Sequence, residues 1–249
     1  MNAPRSVLIT GGNGGIGRAL CAAFGQSGWY VIATDIQSAP QAACDEYLRA
    51  DLLPLGADLP YREEFLGRVK AALPRPGALD ALINNAALQI IAPIEQLSAG
   101  DWLDTCGVNV IAPFLLVQGL LQELESVNGA VVNVGSIHAK QTKPHFSAYA
   151  ASKAALVGLT RSLAVELGSR VRVSAVCPAA IVTPMLAAGF AQNPEGLARL
   201  ADYHPSRSIG LPEDVAGVVV MLASSVSKYV TGVIVNIDGG ISSRLFDPS

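Results

Sequence analysis

Tyr149 and Lys153 stand four residues apart in Tyr149-Ala150-Ala151-Ser152-Lys153. That spacing puts both side chains on one face if the stretch is helical, and the pattern of residues 147–168 predicts a helix. Free tyrosine titrates near pH ~10, too weakly acidic to exchange protons easily at neutral pH. A fixed positive charge beside it favours the phenolate and lowers that value. The chemistry expected of the pair is proton transfer to or from a substrate oxygen. Such pairs also arise on solvated helix surfaces, so the pair gains meaning only from what positions it.

The first positioning signal is the run Gly11-Gly12-Asn13-Gly14-Gly15-Ile16-Gly17. It follows the apolar Ser6-Val7-Leu8-Ile9-Thr10 and precedes a helical stretch over 16–27. Glycines between a strand and a helix let backbone approach a pyrophosphate, and the helix N-terminus adds unpaired N–H groups. The run reads as G-x-G-x-x-G (Gly12, Gly14, Gly17) or as G-x-x-x-G-x-G (Gly11, Gly15, Gly17). Trp29–Asp35 reads as a second strand, and Asp35 lies 20 residues after Gly15. A carboxylate so placed suits the adenosine ribose hydroxyls and would repel a 2′-phosphate. With no Arg or Lys in Gly11–Gly17 or Ile36–Gln41, the reading favours NAD over NADP.

Composition narrows the class. At 249 residues, with 51% hydrophobic and 15% charged residues, the chain fits one large domain with a sizeable core. Low charge hints at a buried oligomer face. A net charge of -3 without basic runs argues against nucleic-acid binding. No apolar stretch nears the ~18 residues of a membrane span, and no secretory signal is visible. Cys21, Cys44, Cys106 and Cys177 have no C-x-x-C or metal-ligand spacing, as expected of reduced thiols in a cytoplasmic protein. His138, His145 and His204 offer no metal set either.

The remaining elements alternate. Glu46–Asp51 looks strand-like, and either Asp51 or Asp58 could end a third strand before the helical Tyr61–Leu73. Ala78–Ile83 reads as a buried parallel strand ending in Asn84-Asn85-Ala86-Ala87, which either leaves room for a flat ligand or forms a tight turn closed by asparagine side chains. Residues 101–125 read as one long helix capped by Ser98 or Asp101. Within it Asn109 is a buried structural bridge or part of a site. Further strands are expected at 129–136, ending at Ser136, at 171–176 and at 232–237. A last helix starts at Pro212-Glu213-Asp214. Residues 185–208 lack a period and suit a substrate lid. The alternation predicts an α/β, doubly wound parallel sheet in a single domain.

Taken in order, Thr10-Gly11-x-x-x-Gly15-Ile16-Gly17, Asn84-Asn85-Ala86-Ala87, Asn109, Ser136, Tyr149-x-x-x-Lys153, Pro178 with Thr183, and Asp238-Gly239-Gly240 resemble the short-chain dehydrogenase/reductase family over nearly the whole chain. Ala87 and Ala179 stand where that family usually has glycine. The resemblance implies a Rossmann-like, NAD-dependent oxidoreductase interconverting a secondary alcohol and a ketone. It implies Tyr149 as acid/base, Ser136 binding the substrate oxygen, Lys153 holding the nicotinamide ribose and lowering the Tyr149 pKa, and Asn109 anchoring a proton relay. Cofactor contacts are implied at Gly11, Asn13, Gly14, Gly15, Ile16 and Gly17, and at Asp35, Ile36, Asp51 and Leu52. Others fall at Asn85, Ala86, Ala87, Pro178, Ile181 and Thr183. No metal is required, and the partners implied are a small alcohol or ketone and copies of the same chain, as a homotetramer or homodimer. His138 and His145 face substrate or solvent. The alternative function is a non-catalytic NAD-binding sensor on the same fold.

Overall fold

A computed structural model describes residues 3–245. Seven strands form one sheet: β1 (Ser6–Thr10), β2 (Tyr30–Asp35), β3 (Glu46–Arg49), β4 (Ala81–Asn84), β5 (Ala130–Val134), β6 (Arg172–Pro178) and β7 (Ile234–Ile237). Their order is β3-β2-β1-β4-β5-β6-β7, and every neighbouring pair is parallel. Strand residues alternate between two cores. Leu8, Ile32, Leu82, Val131 and Val173 face one helix layer. Val7, Ile9, Val31, Ala33, Ile83, Val132 and Val176 face the other. Burial on both faces is why these strands read as continuous apolar runs.

The first layer contains α2 (Leu59–Ala71), α3 (Ala99–Cys106), α4 (Ala112–Gly119), α5 (Leu121–Glu125) and α6 (Ser147–Leu167); Phe65, Leu116, Leu124 and Leu163 carry much of its packing. The second holds α1 (Gly15–Gln26) and α10 (Pro212–Ala223), through Leu20, Phe24, Val215 and Val219. Between β6 and α10 lie α7 (Pro184–Gly189), α8 (Pro194–Ala198) and α9 (Leu200–Tyr203). The chain runs outward from β1 to β3, then restarts at β4 on the other side of β1. Ligands of open α/β sheets bind at such a reversal, beyond the carboxyl ends of the strands. Ile9 pairs with Ile83, so Gly11 and Asn85 emerge there side by side.

One expectation needs correction, and two readings gain detail. The helix expected over 101–125 is not continuous: α3 is followed by one π-helical turn, Gly107–Ile111, and then by α4 and α5. Pro113 explains the irregularity, since it has no N–H for the carbonyl of Asn109 four residues earlier. The cap is shared. Ser98 Oγ accepts from the Asp101 N–H at 3.0 Å, and Asp101 accepts in return from the Ser98 N–H at 3.0 Å. The periodless 185–208 region is three short helices, too short for a period to register. Thr183 and Asn193 cap the first two, each with proline at the first helical position. Finally, β3 ends at Arg49 and Asp58 is the N-cap of α2, accepting from the Tyr61 N–H at 2.9 Å. That leaves Asp51 as the acid beyond the strand end.

Candidate active site

The glycine run fits where side chains cannot. Gly11 has φ +66, and a Cβ there would lie 2.8 Å from the Ala86 Cα. A Cβ on Gly17 would fall on the Gly11 carbonyl. Gly14 precedes α1 with no side-chain cap, so the first N–H groups of that helix have no protein side chain to satisfy them. An anion such as a pyrophosphate fits that end of the cleft.

Several polar residues chosen from sequence are spent on holding this loop. Thr10 Oγ1 accepts from the N–H groups of Asn85 and Ala86, both at 3.0 Å. The Asn85 amide donates to the Thr10 and Gly11 carbonyls at 2.9 and 3.0 Å. Asn85 therefore closes a turn, the structural alternative of the two open in the sequence. Asn13 is buried. Its N–H donates to Asp35 at 3.0 Å, its amide nitrogen to the Ala39 carbonyl at 2.9 Å, and its amide oxygen accepts from the Gln41 N–H at 2.7 Å. These bonds shape the loop after β2 and fix Asp35 at the cleft edge.

One cleft of about 1030 Å³ runs along the strand ends, and Gly11, Asn13, Gly14, Gly15, Ile16 and Gly17 line it. So do Asp35, Ile36, Asp51 and Leu52 near one end, and Asn85, Ala86 and Ala87. Ser136, Tyr149, Lys153, Pro178, Ile181 and Thr183 complete the residues chosen from sequence. Asn109, Asp58 and His145 do not line it; His138 and His204 do.

At the α6 end the geometry differs from the sequence expectation. Lys153 is buried and donates to the Val134 carbonyl at 2.8 Å. Burial holds its ammonium down to about 8, from 10.5. Tyr149 is buried as well, and burial pushes its phenol up to about 12, with the nearby Ser136 hydroxyl opposing the rise and the Cys177 thiol adding to it. The lowering expected from Lys153 is thus overruled. Desolvation of the phenolate outweighs a cation whose nitrogen is 5.6 Å from the ring centre. His138 and Phe146 wall in the phenol, their ring centres 5.7 and 6.2 Å from that of Tyr149, with His138 stacked on Phe146 at 4.5 Å. Burial and Lys143 bring the His138 imidazole down to about 4, so it is neutral at physiological pH.

Asn109 is fully buried, and its side chain is a bridge. Its amide oxygen accepts from the Leu88 N–H at 2.8 Å; its nitrogen donates to the Leu88 carbonyl and to Ser152 Oγ, each at 2.9 Å. Ser152 Oγ donates in turn to the Tyr149 carbonyl at 2.7 Å. The π-turn is thereby tied to the helix that carries Tyr149 and Lys153.

Comparison with known proteins settles the family. A family model described as enoyl-(acyl carrier protein) reductase matches residues 11–242. The chain is 36% identical to 3-oxoacyl-[acyl-carrier-protein] reductase FabG of Thermotoga maritima, over 94% of this chain and 96% of that one. It belongs to the short-chain dehydrogenase/reductase family. Among solved structures, ligand-free aldohexose dehydrogenase of Thermoplasma acidophilum superposes with a TM-score of 0.91 at 28% identity, covering 99% of this chain and 97% of that one. A 4-hydroxyisoleucine dehydrogenase complexed with NADH has a TM-score of 0.85 at 28% identity, covering 97% of this chain and 100% of the other. An acyl thioester, a sugar and a hydroxy amino acid appear in these names, so membership alone leaves the substrate open.

Cleft residues that sequence reasoning missed include Arg18, Lys143, Phe146 and His204. Arg18 had a signal, since it directly follows Gly17; its guanidinium donates to the Asn13 carbonyl at 2.6 Å. Lys143 lies in a loop, where spacing carries no period, and gave none. Among the described residues no group of three or more His, Cys, Asp or Glu is placed to hold a metal. No helix among them is long and apolar enough to cross a membrane.

Proposed function

We propose that the protein is an NAD(H)-dependent oxidoreductase that interconverts a secondary alcohol and the matching ketone. The observation that carries this reading is the convergence of Tyr149, Ser136 and Lys153 at one end of a cleft whose other end is the glycine loop. When bound, the dinucleotide supplies the hydride. Its pyrophosphate would rest on the open N-terminus of α1, its adenosine ribose on Asp35, its adenine beside Asp51 and Leu52, and its carboxamide on Ile181 and Thr183.

The chain's own residues handle the proton. Tyr149, protonated at neutral pH because it is buried, donates to the carbonyl oxygen in reduction and is left as phenolate; in oxidation that phenolate takes the alcohol proton, so this direction requires the phenol to lose its own proton first. The Ser136 hydroxyl, near enough to Tyr149 to oppose the rise in its pKa, binds the same substrate oxygen and stabilises charge as it develops. Lys153, with the donors left beside its bond to the Val134 carbonyl, would hold the nicotinamide ribose hydroxyls, and Asn109, whose side chain is otherwise occupied, would anchor a relay of protons toward solvent at the π-turn. The aromatic wall of His138 and Phe146 excludes water, and the segment from α7 to α9 closes over the substrate as a lid. Asp35 supports NAD over NADP through like-charge repulsion of a 2′-phosphate. Exposed Leu103, Val165 and Tyr229 support a homotetramer or homodimer, and buried free Cys21 and Cys177 suit the cytoplasm.

The test is NADH absorbance over a panel of secondary alcohols and ketones, with Tyr149→Phe beside the native protein. Turnover lost by a factor of roughly 10² or more, with NAD binding retained, supports the assignment. Turnover unchanged by that substitution removes Tyr149 as the acid/base, and NAD binding without any turnover favours a sensor.

A further inference from the structure

The substrate end of the cleft holds one feature the proposed chemistry does not use. Lys143, in the loop between β5 and α6, lines the cleft. Its ammonium lies 4.8 Å from the ring centre of Phe146 and 4.7 Å from that of Phe190. Phe146 sits three residues before Tyr149, and Phe190 follows α7. Lys143 thus joins the loop before the catalytic helix to the segment on the far side of the substrate space.

Charge is otherwise scarce there. Among the described residues lining the cleft the carboxylates are Asp35 and Asp51, both beside the loops after β2 and β3. The other cations are engaged: Lys153 donates to the Val134 carbonyl and Arg18 to the Asn13 carbonyl. His138 is neutral. Among the described residues no carboxylate pairs with Lys143. Two ring faces attract an ammonium, by about 0.5–1 kcal/mol each at an exposed site, and they position it while its three N–H donors lack an anionic acceptor. The ammonium also sits below the ordinary lysine range because the site desolvates it.

We infer that Lys143 is the specificity residue for an anionic substrate: the alcohol or ketone carries a carboxylate that pairs with Lys143, with a largely apolar body between carboxylate and reacting carbon. This deepens the oxidoreductase reading and rests on it for the word substrate. A monoanion is favoured over a phosphate dianion because one ammonium, with no second cation beside it, faces the ligand. The apolar body follows from Met185, Leu186, Phe146 and Phe190, which line the space around it. Ring contacts link Lys143 to Phe146 and Phe146 to Tyr149, so the carboxylate lies several bonds from the carbon that reacts.

The experiment uses the full chain with NAD(H) present. Calorimetric titration of oxo-carboxylates of increasing chain length, each with its matched carboxamide, reads binding; NADH absorbance with the same compounds and their hydroxy forms reads turnover. The native protein binds the best-fitting carboxylate roughly ten- to a hundredfold more tightly than its carboxamide, as a charge-assisted hydrogen bond allows. Lys143→Met and Lys143→Gln bring that ratio within threefold, while Lys143→Arg keeps most of it. Equal binding of acid and amide by the native protein overturns the inference, as does a preference that survives both neutral substitutions or one shown only toward phosphate esters. Turnover of uncharged alcohols without acid preference overturns the anion site and leaves the oxidoreductase standing. Acid preference lost in Lys143→Met, without hydride transfer on any compound, keeps the anion site and removes the oxidoreductase reading.

Discussion

The Lys153 ammonium lies 5.6 Å from the centre of the Tyr149 ring and donates to the Val134 carbonyl at 2.8 Å. Its hydrogen bond therefore anchors α6 to the end of β5, and its charge reaches the phenol only through space. Burial dominates the phenol, which is pushed up to about 12. In ligand-free protein, the difference in tyrosinate absorbance between native and Tyr149→Phe forms shows Tyr149 still protonated at about pH 10, the ordinary tyrosine midpoint. Ionisation of that residue below about pH 9 would mean the charge of Lys153 outweighs desolvation after all.

Lys153 makes its own signature in stability. Its folded value, about 8, lies below the 10.5 of the exposed group, so between those values the unfolded chain binds the extra proton. Stability then rises with pH across that window. Tyr149 acts oppositely above about pH 10, because the folded form keeps a proton that the unfolded form has lost. The clean readout is native protein against Lys153→Met in denaturant titrations at several pH values. From pH 8 to 10 the native form gains on the variant by up to about 3 kcal/mol. A difference flat with pH shows that Lys153 is solvated in the fold.

Asp35 sets the cofactor prediction. Its carboxylate accepts from the N–H groups of Asn13 and Gln37, at 3.0 and 3.3 Å, which fixes it at the cleft edge. A phosphate brought beside it meets like charge, and such juxtaposition costs several kcal/mol. Asp35→Ala should narrow the ratio of kcat/KM for NAD over NADP by roughly tenfold or more, with Arg18 left nearby to attract the phosphate. A native enzyme that prefers NADPH to NADH would show that Arg18 outweighs Asp35.

Much of this was legible in the chain. Strands buried on both faces appear as apolar runs, and β1, β2 and β6 fall within two residues of where Ser6, Trp29 and Val171 suggested. Proline and acids announced α10 at Pro212. What did not read was tertiary. Asn109 could be seen as a buried amide, but its partners Leu88 and Ser152 are far away in sequence. The break at Gly107–Ile111 had a signal in Pro113 that the run of apolar residues masked. The high Tyr149 pKa depends on how closely His138 and Phe146 pack, and no spacing records that. Lys143 lies in a loop, where neither period nor motif marks a residue.

Arg172 offers a stability prediction away from the site. At the start of β6, its guanidinium donates to the carbonyls of Leu222, Ala223, Ser224 and Ser227 at 2.7 to 3.2 Å. Leu222 and Ala223 end α10, Ser224 is its C-cap and Ser227 follows, so the guanidinium gathers carbonyls at the helix C-terminus, where a cation also complements the helix dipole. Arg172→Met should cost about 2–4 kcal/mol, lowering the thermal midpoint by roughly 5 to 15 °C. Arg172→Lys, with one head in place of a fork, recovers part of it. A midpoint within 2 °C of native for the Met variant would show that solvent satisfies those carbonyls equally well.

Asn109 separates support from chemistry at a single residue. Its side chain joins Leu88 to Ser152, and through Ser152 to the Tyr149 carbonyl, while its backbone lies in the π-turn. Asn109→Ala keeps the backbone carbonyl and removes three hydrogen bonds, stranding the N–H and C=O of Leu88. Each stranded buried group costs about 1–3 kcal/mol, so the thermal midpoint should fall by roughly 5 °C or more. Turnover should fall as well, because α6 loses its tie to the π-turn, with KM and kcat moving together. Loss of turnover at an unchanged midpoint would instead place the Asn109 amide itself in the proton path, and the bridge would then be incidental to its role.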